Sequence, residues 1–387
     1  MSSLSQRLAR LRKDGGRLSR TNHSRRASFS EVSSSEPPGS GWKIVAEGVW
    51  ERSILYPRLL PGKFENPFVL PGVLSREAMV FYDLETTGLS GGAGNVAFLI
   101  GLGFSQSDGF AVIQLFLGDY PGEPALLERY TELIGRNLPQ VSYNGRSFDS
   151  QVLKTRFLLN RMSPLLPPQI DLLHPSRRLW KGVLPNLSLG TLEREVLGFF
   201  REDDLPGREA PDAWFEWLKG DKKRIAGVFQ HNADDIVTLG RLLVHLEAWG
   251  DVNPGRDERQ GSTPPGVPPS SRGMARQWSM GNPSMEREWL EAGWASGEPL
   301  CGRELALRYK REEDFQSAAA IWKKLNENGV KYYSAVELAK YYEHQLKNYE
   351  MALEVLSGLE TLPPNTRYLG ELSHRRRRLE RKSARLS

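Results

Sequence analysis

The sequence predicts an α/β domain over its first two thirds and an all-α helical region after it. Three observations predict this. Between about residues 78 and 250, apolar runs of strand length alternate with segments of helical periodicity. Residues 251–285 then break into proline, glycine and serine clusters, the composition of a linker. Beyond them the chain repeats itself every 33–34 residues in helical hairpins.

The elements follow in order. Residues 1–40 are rich in Ser and Arg and poor in apolar residues, which predicts a disordered basic tail. Residues 41–77 carry Trp42, Trp50, Tyr56 and several prolines, an extended segment expected to pack on the next domain. The stretch AMVFYDL is a buried strand by its continuous apolar character. NVAFLIGLGF and FAVIQLFLGDY are two more, and the turn signal at Ser105–Gly109 between them predicts an antiparallel hairpin or meander. A helix follows at about Glu123–Arg136, opened by Pro124 in its first turn. QVSYNG is a fourth strand; FDSQVLKTRFLLNR and LSLGTLEREVLG are helical. From Lys222 to Trp249, Ile225, Phe229, Ile236, Leu239, Leu243 and Leu246 mark one helix face. The domain is thus expected over 78–250, the linker over 251–285, a helical domain over 286–362 and a basic tail over 363–387. In the helical domain Ala306 aligns with Ala339, Phe315 with Tyr349 and Ala318 with Ala352, so the hairpins resemble tetratricopeptide repeats.

Charge is distributed unevenly. Residues 1–40 hold eight Lys/Arg against three acids, and residues 367–387 hold eight against two. The chain between is net acidic, 36 basic against 42 acidic residues. Basic tails such as Arg375–Arg378 are attracted to phosphate backbones without reading sequence. One cysteine, Cys301, forms no intrachain disulfide and no cysteine zinc site, which fits a reduced, cytoplasmic setting. The longest apolar run, Asn95–Phe104, is far short of the roughly 18–20 residues of a membrane helix, and no signal-peptide pattern follows the N-terminus.

Three clusters carry chemistry. In FYDLETTGLSGGAGN, Asp83 and Glu85 stand two apart and share one face of a strand, so the two carboxylates repel unless a cation lies between them. Thr86, Thr87, Gly88 and Leu89 follow, offering hydroxyls and backbone N–H groups, and the glycines allow close approach of a ligand. In SYNGRSFDSQVL, Asp149 sits in the first turn of a helix, where the dipole favours an acid, and Asn144 either meets a substrate or pins the turn. In HNADDIVTL, His231 and Asp235 are four apart and share a helix face, with Asp234 one residue off it. In HPSRRLWK, Arg177, Arg178 and Lys181 lie near a tryptophan: either phosphate contacts in a strand channel or a surface loop paired with acids such as Asp203 and Asp204.

Read in order as D-x-E, N-G-x-x-F-D and H-x-x-x-D, these motifs resemble the DEDD exonuclease family on the RNase H-like fold. With DLLHPSRRLW and LSLGTLEREVLG they resemble its YprB-like branch, over about residues 78–248. The resemblance implies a five-stranded mixed sheet with helices on both faces and the first three strands mutually antiparallel. It implies metal ligands at Asp83, Glu85, Asp149 and Asp235, and His231 as the base that takes the attacking water's proton. Hard oxygen ligands suit Mg²⁺ or Mn²⁺, and two such ions serve phosphodiester displacement. Better-known members place a tyrosine four residues, or a histidine five, before the last aspartate; here a histidine stands at four.

The expected activity is therefore two-metal 3′–5′ exonuclease action on DNA or RNA, on a single strand or a 3′ end. Two other readings stand beside it: structure-specific endonuclease action, and a scaffold that binds nucleic acid and uses its tetratricopeptide-like helices for a protein partner.

Overall fold

The computed structural model describes residues 36–64, 67–70, 72, 74–88, 93–135, 138–165, 167–201, 205–254, 263–328, 331–359 and 366–384. The disordered tail expected at the N-terminus lies, up to residue 35, outside the described residues, as do Leu89, Gly91, Gly92, Asp203 and Asp204.

Three strands, β5 (Val80–Thr86), β6 (Ala97–Ser105) and β7 (Phe110–Leu117), pair antiparallel in the order β7-β6-β5, and β8 (Gln140–Ser142) and β9 (Gln169–Asp171) extend the sheet from β5 in parallel. These five are the mixed sheet the sequence leads one to expect. The sheet itself has seven strands, because β1 (Lys43–Ala46) and β2 (Val49–Tyr56) add to its β7 edge. The segment expected only to be extended thus hydrogen-bonds to the domain: β2 pairs with β7 from Val49↔Leu117 to Tyr56↔Phe110. A separate ribbon joins β3 (Lys63–Phe64) to β4 (Leu74–Ser75).

Each face of the sheet carries helices. On one, α1 (Glu123–Ile134), α2 (Asp149–Leu159) and α5 (Ala210–Leu218) pack with Tyr82, Leu84, Phe98 and Ile100, and Trp214 stacks on Phe98 at 5.3 Å. On the other, the long α6 (Ile225–Ala248) lies over Phe81, Phe110 and Val112 through Ile236 and Leu239. Burying each such side chain contributes about 1.5–3 kcal/mol. Two glycines set the close approach of α6 to the sheet. A Cβ at Gly101 would meet Asn232 Oδ1 at 2.3 Å, and one at Gly103 would meet Ile236 and Phe110 at 2.6 Å.

Two helices occupy stretches read otherwise from composition. The HPSRRLWK stretch is helical as α3 (Leu173–Trp180), and α4 (Leu189–Glu195) follows it. Within the Pro/Gly/Ser-rich stretch, α7 (Ser271–Trp278) is capped by Ser270 Oγ, which accepts the Gly273 N–H at 3.0 Å. It packs on α3, where the absence of a Cβ at Gly273 permits contact with the Leu179 carbonyl. The chain before it is pinned as well: the Val267 N–H donates to Glu195 O at 2.9 Å, and Trp180 Nε1 donates to Val267 O at 2.8 Å.

The rest is a run of helices, each packed on the next: α8 (Pro283–Ala295), α9 (Pro299–Arg311), α10 (Phe315–Glu327), α11 (Lys331–His344), α12 (Tyr349–Ser357) and α13 (Thr366–Ser383). Local geometry repeats 34 positions apart. Glu313 and Lys347 both adopt positive φ, 62° and 54°. Asp314 and Asn348, one residue on, cap α10 and α12 by accepting the N–H groups of Ser317 and Met351. Ala318 and Ala352 are both fully buried. The basic C-terminal segment, expected as a flexible tail, is helical through Ser383. Arg378 Nη2 and Lys382 Nζ stand 2.5 and 2.8 Å from the buried Glu343 carboxylate, so part of that charge is used internally.

His245 on α6 is buried and its Nε2 accepts the Trp249 indole N–H at 3.2 Å. Burial pushes its pKa down to about 4, against roughly 6.5 in an unfolded chain. Between those values the unfolded chain binds one proton more, so stability falls as pH falls from 6.5 towards 4, by up to about 3 kcal/mol. Denaturant midpoints of the wild type and His245→Gln at pH 7 and pH 4.5 should show a smaller acid loss in the variant. Equal losses would remove His245 from the account.

Candidate active site

The site forms where the C-terminal end of β5 meets the start of α2 and one face of α6. Asp83 and Glu85 project from the same face of β5, as alternation requires. Asp149 opens α2 and is buried. Tyr82, on the opposite face of β5, holds that helix end in place, its hydroxyl bonding Ser150 Oγ at 2.7 Å and Gln169 Oε1 at 3.1 Å. Asp235 lies one turn along α6 from His231, with His231 Nε2 3.7 Å from Asp235 Oδ2. Asp234 accepts from Gln230 Nε2 at 2.9 Å along the exposed side of the helix.

The electrostatics show that these carboxylates converge. Burial first, and then the charges of Asp235, Asp149 and Glu85, raise the Asp83 pKa well above the usual carboxylate range; the hydrogen bond from Asn232 opposes this. Burial, Asp171 and Asp235 raise Asp149 to about 7. Among the described residues neither Asp83 nor Asp149 pairs with a cation. Two neighbouring carboxylates, Asp83 and Asp149, that no cation pairs with among the described residues, both hard oxygen donors, fit a divalent cation such as Mg²⁺ or Mn²⁺. Among the described residues no three acidic, His or Cys side chains stand close enough together to cage an ion.

Two supports of these residues come from elsewhere in the chain, and of them the sequence pointed only to Asn232 as a hydrogen-bonding neighbour. The first is a polar relay across the sheet. Arg52 Nε donates to Gln114 Oε1 at 2.6 Å, Gln114 Nε2 to Asn232 Oδ1 at 2.9 Å, and Asn232 Nδ2 to Asp83 Oδ2 at 3.1 Å. Gln114 and Asn232 are fully buried, so each unmade bond would cost about 1–3 kcal/mol. The signal was present: Gln114 is the single polar residue within the apolar strand AVIQLFL. The second is Arg201, which ion-pairs with both Asp235 and Glu193, while Thr238 Oγ1 also donates to Glu193 at 2.5 Å. Arg201 Nη1 lies 3.3 Å from His231 Nδ1. A guanidinium only donates, so in a hydrogen bond at this contact Nδ1 is the acceptor.

The remaining candidates divide. The Thr86 hydroxyl donates to Gly88 O at 2.9 Å, and Thr87 Oγ1 accepts the Val96 N–H at 3.0 Å, so both close the loop after β5. Leu89 lies outside the described residues. Asn144 has φ of 64° and its N–H donates to Asp171 Oδ1 at 2.8 Å, a turn-pinning role; Gly145 follows because a Cβ there would strike Ser142 and Tyr82. Arg177 is exposed on α3, whereas Arg178 is half-buried against α7.

Residues 80–247 match the RNase_H superfamily. Over 293 residues the chain is 33% identical to "Uncharacterized protein YprB" of Bacillus subtilis (strain 168), covering 73% of this chain and 68% of that protein. Among solved structures it is similar to a product-bound exonuclease I, at 18% identity and a TM-score of 0.27 over 40% of this chain. It is also similar to the family B DNA polymerase of the archaeon Pyrobaculum calidifontis, at 14% identity and a TM-score of 0.34 over 67% of this chain. The chain spans 46% of the exonuclease I chain and 34% of the polymerase chain.

Proposed function

This chain belongs to the YprB family, and from that membership and its acidic cleft we propose that it is a metal-dependent nuclease that hydrolyses phosphodiester bonds of DNA or RNA, acting as a DEDD-type 3′–5′ exonuclease. One observation carries the reading: carboxylates from β5, α2 and α6 lie near enough to oppose the ionisation of Asp83, and among the described residues Asp83 and Asp149 pair with no cation. Asp83, Glu85, Asp149 and Asp235 would hold two Mg²⁺ or Mn²⁺ ions. Bound there, the ions supply positive charge to the attacking and leaving oxygens of an in-line displacement.

The protein's own groups do the rest. The Asn232 amide fixes the Asp83 carboxylate through Oδ2. Arg201 neutralises Asp235 and also pairs with Glu193. His231 would accept the attacking water's proton, and Asp235, 3.7 Å from its Nε2, would stabilise the charged ring. The 34-residue period of the C-terminal helices supports a tetratricopeptide-like platform for a protein partner, and the single cysteine supports a cytoplasmic setting.

The Arg201–Asp235 pair favours a second reading, because a fixed cation in the cleft also suits a catalytically silent nucleic-acid binder. Digestion of labelled single-stranded DNA and RNA, with free and blocked 3′ ends and with Mg²⁺ or Mn²⁺, separates the readings. Exonuclease action predicts stepwise loss of free 3′ ends and protection by the block. Cutting of blocked strands points to endonuclease action. No cutting with either metal on any strand rejects the nuclease.

A further inference from the structure

A second concavity of about 700 Å³ opens along the β9 edge, between the segment Phe68–Leu70, α3 and the end of α7. Asp171 lines it and also raises the Asp149 pKa, so the groove lies beside the acidic cleft. Its basic side chains are Arg146, His174 and Arg178. Its one acid, Asp171, is already engaged by the backbone N–H groups of Asn144, Leu173 and Arg146.

Arg178 is the informative group. It is half-buried, burial lowers its pKa, and its Nε donates to Gln277 Oε1 at 2.7 Å. No carboxylate among the described residues pairs with it. Next to it the half-buried Trp278 packs on Phe68 with ring centroids 5.0 Å apart. The walls are fixed: the Glu247 carboxylate accepts the N–H groups of Phe68, Val69 and Leu70, and Gln277 Nε2 donates to Phe68 O at 2.6 Å. A desolvated guanidinium with N–H groups to spare, beside an aromatic surface, is the chemistry that holds a sugar-phosphate strand and stacks its bases. Gln277 and Trp278 lie beyond residues 80–247, so the groove depends on the chain that follows the superfamily domain.

We propose that this groove holds a single nucleic-acid strand upstream of the end that enters the cleft, with Arg178 and Arg146 on phosphates and Trp278 under a base; it rests on the nuclease reading of that cleft. The test is fluorescence anisotropy of the full chain in EDTA with a labelled 12-residue single-stranded DNA over a range of salt. Arg178→Gln and Arg146→Gln should each weaken binding about tenfold and reduce the salt slope by about 0.7, one counterion fewer released. Trp278→Ala should weaken binding roughly fivefold or more and leave the slope unchanged. Arg146 is exposed, so its variant keeps the test valid if Arg178→Gln does not fold. Wild-type affinity and slope in the folded arginine variants overturns the groove. EDTA keeps hydrolysis out of the readout. A chain that binds through these residues but cuts nothing retains the groove and loses the nuclease; one that cuts while its arginine variants bind as wild type does the reverse.

Discussion

Asp83→Asn is expected to abolish hydrolysis and yet to melt higher than the wild type when no divalent ion is present. The loss of rate should be on the order of 10³-fold or more, because a carboxylate that would hold the ions is gone and about 4 kcal/mol of transition-state charge stabilisation goes with it. The gain in stability has a separate cause. Asp83 is half-buried beside Asp235, Asp149 and Glu85, all of which oppose its ionisation. Asparagine removes the cost of holding an ionisable carboxyl at that position and still offers an oxygen to the Asn232 amide. A rise of a few degrees is expected, at roughly 2–4 °C per kcal/mol for a domain of about 150–250 residues. Calorimetry in EDTA reads this. A lower metal-free Tm would mean that the activity loss came from damage to the fold and that the carboxylates do not repel as described.

Gly101→Ala should unsettle both fold and chemistry, although Gly101 bears no reactive group. Gly101 pairs with Asp83 across β5 and β6, and the new Cβ would lie 2.3 Å from Asn232 Oδ1 and 2.9 Å from its Cγ. Asn232 cannot give way, since it is held between Gln114 and Asp83 inside the core. Overpacking costs about 1–3 kcal/mol, and a broken relay adds the cost of unpaired buried groups. Tm should fall by roughly 5–10 °C. Because His231 and Asp235 ride on the same helix as Asn232, turnover should drop at temperatures where the variant is still folded. Wild-type Tm and turnover together would show that α6 can shift without consequence for the site.

The local placing of the candidate residues was legible because they fall in short motifs. Asp83 and Glu85 share a strand face, Asp149 opens a helix, and His231 and Asp235 are one turn apart; each relation follows from spacing alone. What holds them is not local. Arg52, Gln114 and Asn232 come from β2, β7 and α6, and only the strand order brings them to Asp83. Arg201 and Glu193 meet Asp235 from separate segments and carry no periodic signal. Gly101 and Gly103 read as members of an apolar run, and their role appears only once α6 lies across them. In the fold, β2 was hidden because VWERSILY has no turn signal linking it to β7, its partner some sixty residues on. The helix α7 was hidden because the prolines before it dominate the composition, although its cap Ser270 and its buried Met274 stand in the sequence.

The central claim is that the four carboxylates form a site for divalent ions. Calorimetric titration of Mn²⁺ into the metal-free full chain tests it most directly. Two ions per chain in the wild type, and loss of that binding in Asp83→Asn, is the predicted result. No uptake by the wild type at millimolar Mn²⁺, or the same binding in Asp83→Asn, would contradict it.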